Sequence, residues 1–418
     1  MIVDPELINP ELGLYAIIRP EAILDQCVLE YGAVDTLDDA RRLNMNYPFP
    51  DHTLLPGPLF RALVFFVQET QSAALITNSG CLCLYRRTYR EANDGVVSHS
   101  ILEAVYHRYL HDCIDSALGR NPLPRSIGFN VWADSYHALR KSPSAETAVN
   151  VHVQYLHDIH EHVHALWPYP THELTVSPER ADQDGHIVIF TAPSFVHLRE
   201  RHPQVTAPVI LKAALALLAI SHTNHTHALF LNLEANRSTF PFLPSSLAAQ
   251  TGLEAADVAG PTFSGVLNLI PFQPEQTVID YLLHIQQVQA MLSAHANVPW
   301  YEVFRRLGLP AHEILPQVAE SLIFNWMPGL GSAVFGENPF RNMRVAQTHI
   351  RTKLGLLASA GAGGPDGSNI VLFLQGAIAN CSSVWVEKVA DDWKKIALWL
   401  AAEESWTLPV ARFADCLA

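Results

Sequence analysis

No CxxC pair occurs among the six cysteines, Cys27, Cys81, Cys83, Cys113, Cys381 and Cys416, and their spacing is not that of a small disulfide scaffold. Reduced thiols in an intracellular chain are the expectation. Long apolar runs are missing too. The most apolar stretch, Val209 to Ile220, is interrupted by Lys212 and is shorter than the ~20 residues needed to cross a bilayer. The N-terminus, Met1-Ile2-Val3-Asp4-Pro5-Glu6, carries early acids and no apolar segment, so no signal peptide is expected. Positive charge is scarce: 27 Lys and Arg stand against 41 Asp and Glu, a net charge of −14. That balance removes any general attraction to nucleic acid or to an anionic membrane. Neither is expected as a partner, and a soluble, cytoplasmic protein is. There is no internal repeat, no Walker lysine and no GxSxG elbow. The run Gly361-Ala362-Gly363-Gly364-Pro365-Asp366-Gly367 has Asp366 where GxGxxG needs its last glycine. It precedes a strand instead of following one, so it reads as a hairpin turn and not a dinucleotide loop. No cofactor is implied.

What is present is a large apolar fraction, 49%, with only 16% charged residues, which suits a folded chain with a sizeable core. The 28 prolines divide it into many short elements. Strands are expected at Tyr15–Ile18, Pro58–Phe66, Ala73–Thr77, Ile187–Phe190, Ala228–Leu233 and Ile370–Leu374. Helical spacing is expected over 102–118, 146–166, 276–294 and 389–401. Thr206-Ala207-Pro208 opens a further helix, with Thr as cap and Pro in the first turn. Residues 167–186, which contain Trp167-Pro168-Tyr169-Pro170, Ser177-Pro178 and Asp184-Gly185, form the best boundary. The expectation is therefore α/β, as two sandwich lobes covering 1–175 and 176–418.

The stretch Val96-Val97-Ser98-His99 reads as a strand ending at a histidine, with a helix beginning a few residues later. A histidine so placed suits a general base, because its ordinary pKa of ~6.5 leaves the neutral imidazole abundant. Glu103 follows four positions on. The segment resembles the HHxxxDG motif of nonribosomal peptide synthetase condensation domains, and more closely the SHxxxD form of fungal terminal condensation domains. Pro56-Gly57-Pro58-Leu59-Phe60-Arg61 and Phe129-Asn130-Val131-Trp132-Ala133-Asp134-Ser135-Tyr136 are similar to stretches of that family, in the same order. Ala259-Gly260-Pro261-Thr262-Phe263 through Asn268-Leu269-Ile270-Pro271 resembles its second-lobe GPxxNxxPxR loop. The resemblance implies two chloramphenicol-acetyltransferase-like α/β sandwich lobes with a tunnel between them. It further implies acyl transfer to an amine or hydroxyl, or intramolecular cyclisation. His99 would take the proton or position the nucleophile, with Glu103 beside it. Ser98, Thr262, Asn268 and Asn325 (in Phe324-Asn325-Trp326) would line the substrate path. The implied substrate is small or carrier-bound, with a carrier protein or synthetase supplied in trans.

Several positions depart from the family. Glu103 stands where Asp is usual, and Ala104 where Gly is usual. The family's first helix and its arginine segment have no counterpart before Tyr15. Residues 78–95, with Arg86, Arg87 and Arg90, look like an inserted, solvated hairpin. These departures leave open a binding or scaffold protein that kept the fold and lost the reaction. A third reading comes from His160-Glu161-His162-Val163-His164, a formal HExxH. On one continuous helix His160 and His164 would share a face and could bind zinc as a hydrolase, with Glu161 as base. Pro168 ends that helix at once and no GxxH follows, so a surface helix is expected instead. His222, His225 and His227 are expected to line a helix-to-strand loop.

Overall fold

The computed structural model describes residues 2–3, 16–17, 28–46, 60–69, 72–79, 127–128, 131, 142–168, 186–234, 258–259, 264–296, 298–327, 356–363, 367–376 and 383–417. The chain divides into two compact units. One comprises Met1–Phe129 with Asp257–Pro261, and the other Asn130–Ala256 with Thr262–Ala418. No described helix is long and apolar enough to cross a membrane.

In the first unit, β1 (Val28–Val34) lies parallel to β2 (Phe60–Val67), and β2 pairs antiparallel with β3 (Ser72–Ser79). A bulge interrupts β1 between Glu30 and Gly32, where Gly32 adopts φ 105°, a conformation that favours glycine. Helix α1 (Leu37–Asn46) follows β1 through a reciprocal cap. Asp39 N donates to Thr36 Oγ1 at 3.1 Å, and Thr36 N donates back to Asp39 Oδ2 at 3.1 Å. This satisfies two amides that a helix start leaves unpaired. Asn78 and Ser79, the first two residues of the expected insertion, end β3; residues 80–95 lie outside the described residues.

The second unit is an α/β sandwich. Its helices are α2 (Pro143–Tyr155), α3 (Pro193–Arg201), α4 (Ala207–Thr223), α5 (Val278–Ala294), α6 (Trp300–Leu307), α7 (Ala311–Ala319) and α8 (Ser383–Ala401). Its strands are β4 (His186–Thr191), β5 (His227–Glu234), β6 (Ser264–Pro271), β7 (Leu322–Trp326), β8 (Leu356–Gly363) and β9 (Asn369–Gly376). They form one sheet in the order β6-β5-β7-β8-β9-β4. The pairs β5–β7 and β7–β8 are parallel, and the rest are antiparallel.

The period of two along each strand sends alternate side chains to two separate cores. Along β5, Ala228 and Phe230 join the core formed with α4, α5 and α8, while Leu229 and Leu231 join the one formed with α2, α6 and α7. Helix α4 is buried all round: every residue from Val209 to Ile220 is at most 5% exposed. Thr206 takes the N-cap position with extended backbone and Pro208 sits in the first turn, as the sequence pattern implies, although the Thr206 side chain makes no capping hydrogen bond. Trp393 of α8 donates from Nε1 to Leu211 O at 2.8 Å, fastening α8 to α4. On the other layer, Arg306 of α6 holds both oxygens of Glu146 on α2, at 2.7 and 2.6 Å.

The helix expected over 146–166 is not continuous. It ends at Tyr155, resumes as the single turn Ile159–His162, and tightens into a 3-10 turn over Val163–Ala165. Leu156, Ile159, Ala165 and Leu166 are all fully or almost fully buried. A straight helix cannot aim residues at those four positions into one core, so the chain turns between them.

Strand β6 is the edge of the sheet, and side chains close its outer row of backbone groups. Tyr155 Oη donates to Leu269 O and accepts from Leu269 N, both at 2.9 Å. Trp300 Nε1 donates to Gly265 O at 2.9 Å, two alternations further along the same row. Burial pushes the Tyr155 phenol far above its ordinary range, which keeps it a neutral donor and acceptor. Tyr155→Phe should therefore strand both backbone groups and destabilise the unit by about 1–3 kcal/mol. Urea unfolding measures this; a loss of under about 0.5 kcal/mol would mean that the edge is satisfied another way.

Candidate functional site

Ser98, His99, Glu103 and Thr262 lie outside the described residues, as do 102–118. Asn268 and Asn325 are described, and both sit on the six-stranded sheet, Asn268 on β6 and Asn325 on β7. The structure does not bring them together. Asn268 alternates with Leu267 and Leu269 and shares the face of Ile270, toward α4. Asn325 alternates with Phe324 and Trp326 and shares the face of Ile323, toward the layer of α2, α6 and α7. Asn325 is half-buried and stands in register with Ser359 of β8, which is buried.

Asn268 belongs to a polar chain inside the larger core. Its Oδ1 accepts from Lys212 Nζ at 3.3 Å, and its Nδ2 donates to Val266 O at 3.1 Å. Lys212 is only 2% exposed and lies in the middle of the otherwise apolar helix α4. Burial pulls its ammonium down to about 8, against the attraction of Glu234 at the end of β5. The Lys212 ammonium also sits 5.8 Å from the centre of the Phe324 ring. Glu234 accepts hydrogen bonds from Asn232 Nδ2 and, at 2.5 Å, from Gln289 Nε2 on α5. Gln289 in turn reaches Ser293 Oγ at 2.7 Å.

One buried cation is thus hydrogen-bonded to an amide and faces a ring, and it feels the attraction of a carboxylate that is itself tied to the neighbouring helix. The chemistry available to it is that of a cross-tie: a charge in a core is tolerated when paired and hydrogen-bonded. Lys212 was visible in the sequence as the one interruption of an apolar run. The attraction of Glu234 and the Gln289 hydrogen bond behind it were not, because nothing in the sequence near them points back to residue 212.

The HExxH segment does not form a ligand pair on one helix. His160 stands on the four-residue turn and is well exposed, and the helix has already broken before His164. Among the described residues, the group whose ligand atoms converge is Asp158, His162 and His227, each half-buried. His162 comes from the same histidine-rich segment but from the position between the two expected ligands. His227 is the first residue of β5 and not part of a loop.

No family model and no curated protein sequence matches the chain. Solved structures do. A mutant starter condensation domain of rhizomide synthetase, in complex with C8-CoA and Leu-SNAC, superposes with a TM-score of 0.62 at 13% identity, covering 92% of this chain and 79% of that one. The first condensation domain of the calcium-dependent antibiotic synthetase, in complex with a substrate analogue, matches with a TM-score of 0.59 at 14% identity, over 97% of this chain and 85% of that one. A four-domain nonribosomal peptide synthetase bound to AMP and glycine matches with a TM-score of 0.61 at 13% identity, over 92% of this chain and 28% of its own. The chain has the condensation-domain fold, as the resemblance around His99 implies.

The Lys212 cross-tie has a pH signature. Its folded pKa, about 8, lies below the ordinary lysine value of 10.5, so between those values the unfolded chain holds more protons than the folded one. Stability from this group is therefore lowest below pH 8 and rises as pH climbs toward 10.5, by about 3 kcal/mol in all. Lys212→Met should flatten that rise in urea unfolding series at pH 7.5 to 10.5. An unchanged slope would show that the ammonium is not buried.

Proposed function

We propose that this chain, which has the condensation-domain fold, is an acyltransferase of condensation type. The reading is carried by the conjunction of that fold, matched over more than nine-tenths of the chain, with the Ser98-His99-xxx-Glu103 motif. An amine or hydroxyl nitrogen or oxygen attacks the carbonyl carbon of an acyl thioester. The new C–N or C–O bond forms, the C–S bond breaks, and the thiol leaves. The nucleophile's proton passes through His99 to the departing sulfur. Holding both reactants in one site supplies most of the advantage by proximity.

Glu103 orients the His99 segment in this proposal, with one methylene more than the family's aspartate. Ser98 and Thr262 are assigned to substrate contact. Asn325 is kept in that role, since it is half-buried with a polar neighbour in register. Asn268 is reassigned, because Lys212 and the Val266 carbonyl already engage its amide. The acyl group arrives as a coenzyme A or carrier-protein thioester, from a partner in trans. Cyclisation is the same step with nucleophile and thioester on one molecule.

The probes follow from the fold neighbour solved with C8-CoA and Leu-SNAC. Incubating the chain with acyl-CoA donors and aminoacyl-SNAC acceptors, starting with that pair, should release free coenzyme A and give an acylated amine detectable by mass spectrometry. His99→Ala should slow this by about 10²–10⁴-fold. Turnover that survives His99→Ala unchanged removes the histidine from the mechanism. No turnover of any donor, with retained binding, favours the scaffold reading, for which the departures at Glu103 and Ala104 are the supporting observation.

A further inference from the structure

Three groups of the second unit meet where the turn after α2 runs beside the start of β5. Asp158 precedes the turn Ile159–His162, and His162 follows it by four positions, so both side chains fall on one side of the turn. A parallel bridge between Leu166 and Leu229 holds this segment alongside β5 and brings His227 opposite. Asp158 Oδ2 lies 3.6 Å from His162 Nε2. The His162 and His227 rings face each other with centroids 3.7 Å apart and planes inclined by 31°. One ligand atom from each of the three residues lies within 4.8 Å of the other two.

The third residue is also held from behind. Thr226 Oγ1 lies 3.0 Å from His227 Nδ1, which leaves Nε2 as the nitrogen free to face the other two groups. Phe272 N donates to Thr226 O at 2.7 Å and anchors the threonine itself. A hydrogen bond on the rear nitrogen is how protein ligands fix the tautomer and the aim of a coordinating imidazole.

Two imidazoles and one carboxylate bring three lone-pair donors together. A single divalent ion would take one lone pair from each ring and neutralise the carboxylate. Metal–ligand bonds of about 2.0–2.2 Å place tetrahedral ligand atoms roughly 3.3–3.5 Å apart. The Asp158–His162 pair, at 3.6 Å, already approaches that separation, and the remaining distances, all within 4.8 Å, need a contraction of about 1.5 Å at most. Two nitrogens and one carboxylate oxygen suit zinc and its neighbours over calcium or magnesium, which take oxygen ligands. Asp158 and His162 keep 30% and 13% of their side-chain surface exposed, so an ion could enter and water could complete its shell.

We propose that Asp158, His162 and His227 form a binding site for a divalent transition-metal ion of the zinc class, which ties the turn after α2 to the start of β5. The site shares no residue with the His99 motif or with the His160–His164 pair, and it does not depend on the acyl-transfer reading.

Titrating Zn²⁺ into the full chain after chelator treatment, by calorimetry, should show one equivalent bound per chain. Co²⁺ in its place should give the visible bands of a nitrogen- and oxygen-ligated ion. His162→Ala and His227→Ala should each weaken the site by more than about tenfold, and Thr226→Val by about 10–100-fold. The double variant His160→Ala, His164→Ala should bind as the parent does. Asp158→Asn keeps the shape of the side chain, so weakened binding in that variant with an unchanged far-ultraviolet circular dichroism spectrum separates ligation from misfolding. The proposal is overturned if no equivalent binds, if His227→Ala binds as the parent does, or if the His160, His164 variant is the one that loses the ion.

Discussion

The burial of α4 is the constraint on which the second unit depends. A helix with twelve consecutive buried residues has no face to offer water, so it must be covered on every side. The sheet covers one side, α8 and α5 cover others, and the largest buried side chain of the unit, Trp393, closes the join between α8 and α4 through the Leu211 carbonyl. Each residue of α4 that meets the sheet also sets which strand residues must be small or apolar there, and Ala228, Ala358 and Ala360 occupy such positions. The sheet, α5 and α8 together enclose this one helix.

The single charge on that helix creates the second constraint. Lys212 is buried with support from three other elements: Asn268 on β6 accepts its hydrogen bond, Phe324 on β7 offers a ring face, and Glu234 on β5 attracts it through space. Gln289 extends the chain to α5. Such a network is directional where apolar packing is not, so it pins β5, β6 and α5 to one arrangement around α4. A similar division of labour operates at the sheet edge, where Tyr155 and Trp300 satisfy backbone groups that β6 would otherwise present to a foreign strand.

The fold likeness rests on shape at 12–15% identity, so it passes on architecture and no residue roles. Roles have to be argued from the side chains themselves. On that ground the unit separates two kinds of polar residue. Asn268 and Lys212 satisfy each other and face inward. Asn325, Asp158, His162 and His227 are only half-buried, with capacity to bind something else. His99 carries the proposed chemistry from the sequence motif and the general-base character of its ring.

The sequence by itself determined the α/β class, three of the six second-unit strands, and the start of α4 at Thr206-Ala207-Pro208, because these depend on local periodicity and helix-start chemistry, which act over a few residues. It also holds the stretch at His99 that resembles the condensation-type motif, whose residues are contiguous. Only the tertiary structure decided where α2 stops, since the turn at 156–158 answers to a core that residues between Leu229 and Ile323 complete. Tertiary structure likewise put Asn268 and Asn325 on opposite faces, supplied Lys212 with Glu234, and replaced the local HExxH pairing with Asp158, His162 and His227. Those outcomes follow from strand register and helix docking, where one step along a strand reverses a side chain's face, and no short window of sequence contains that information.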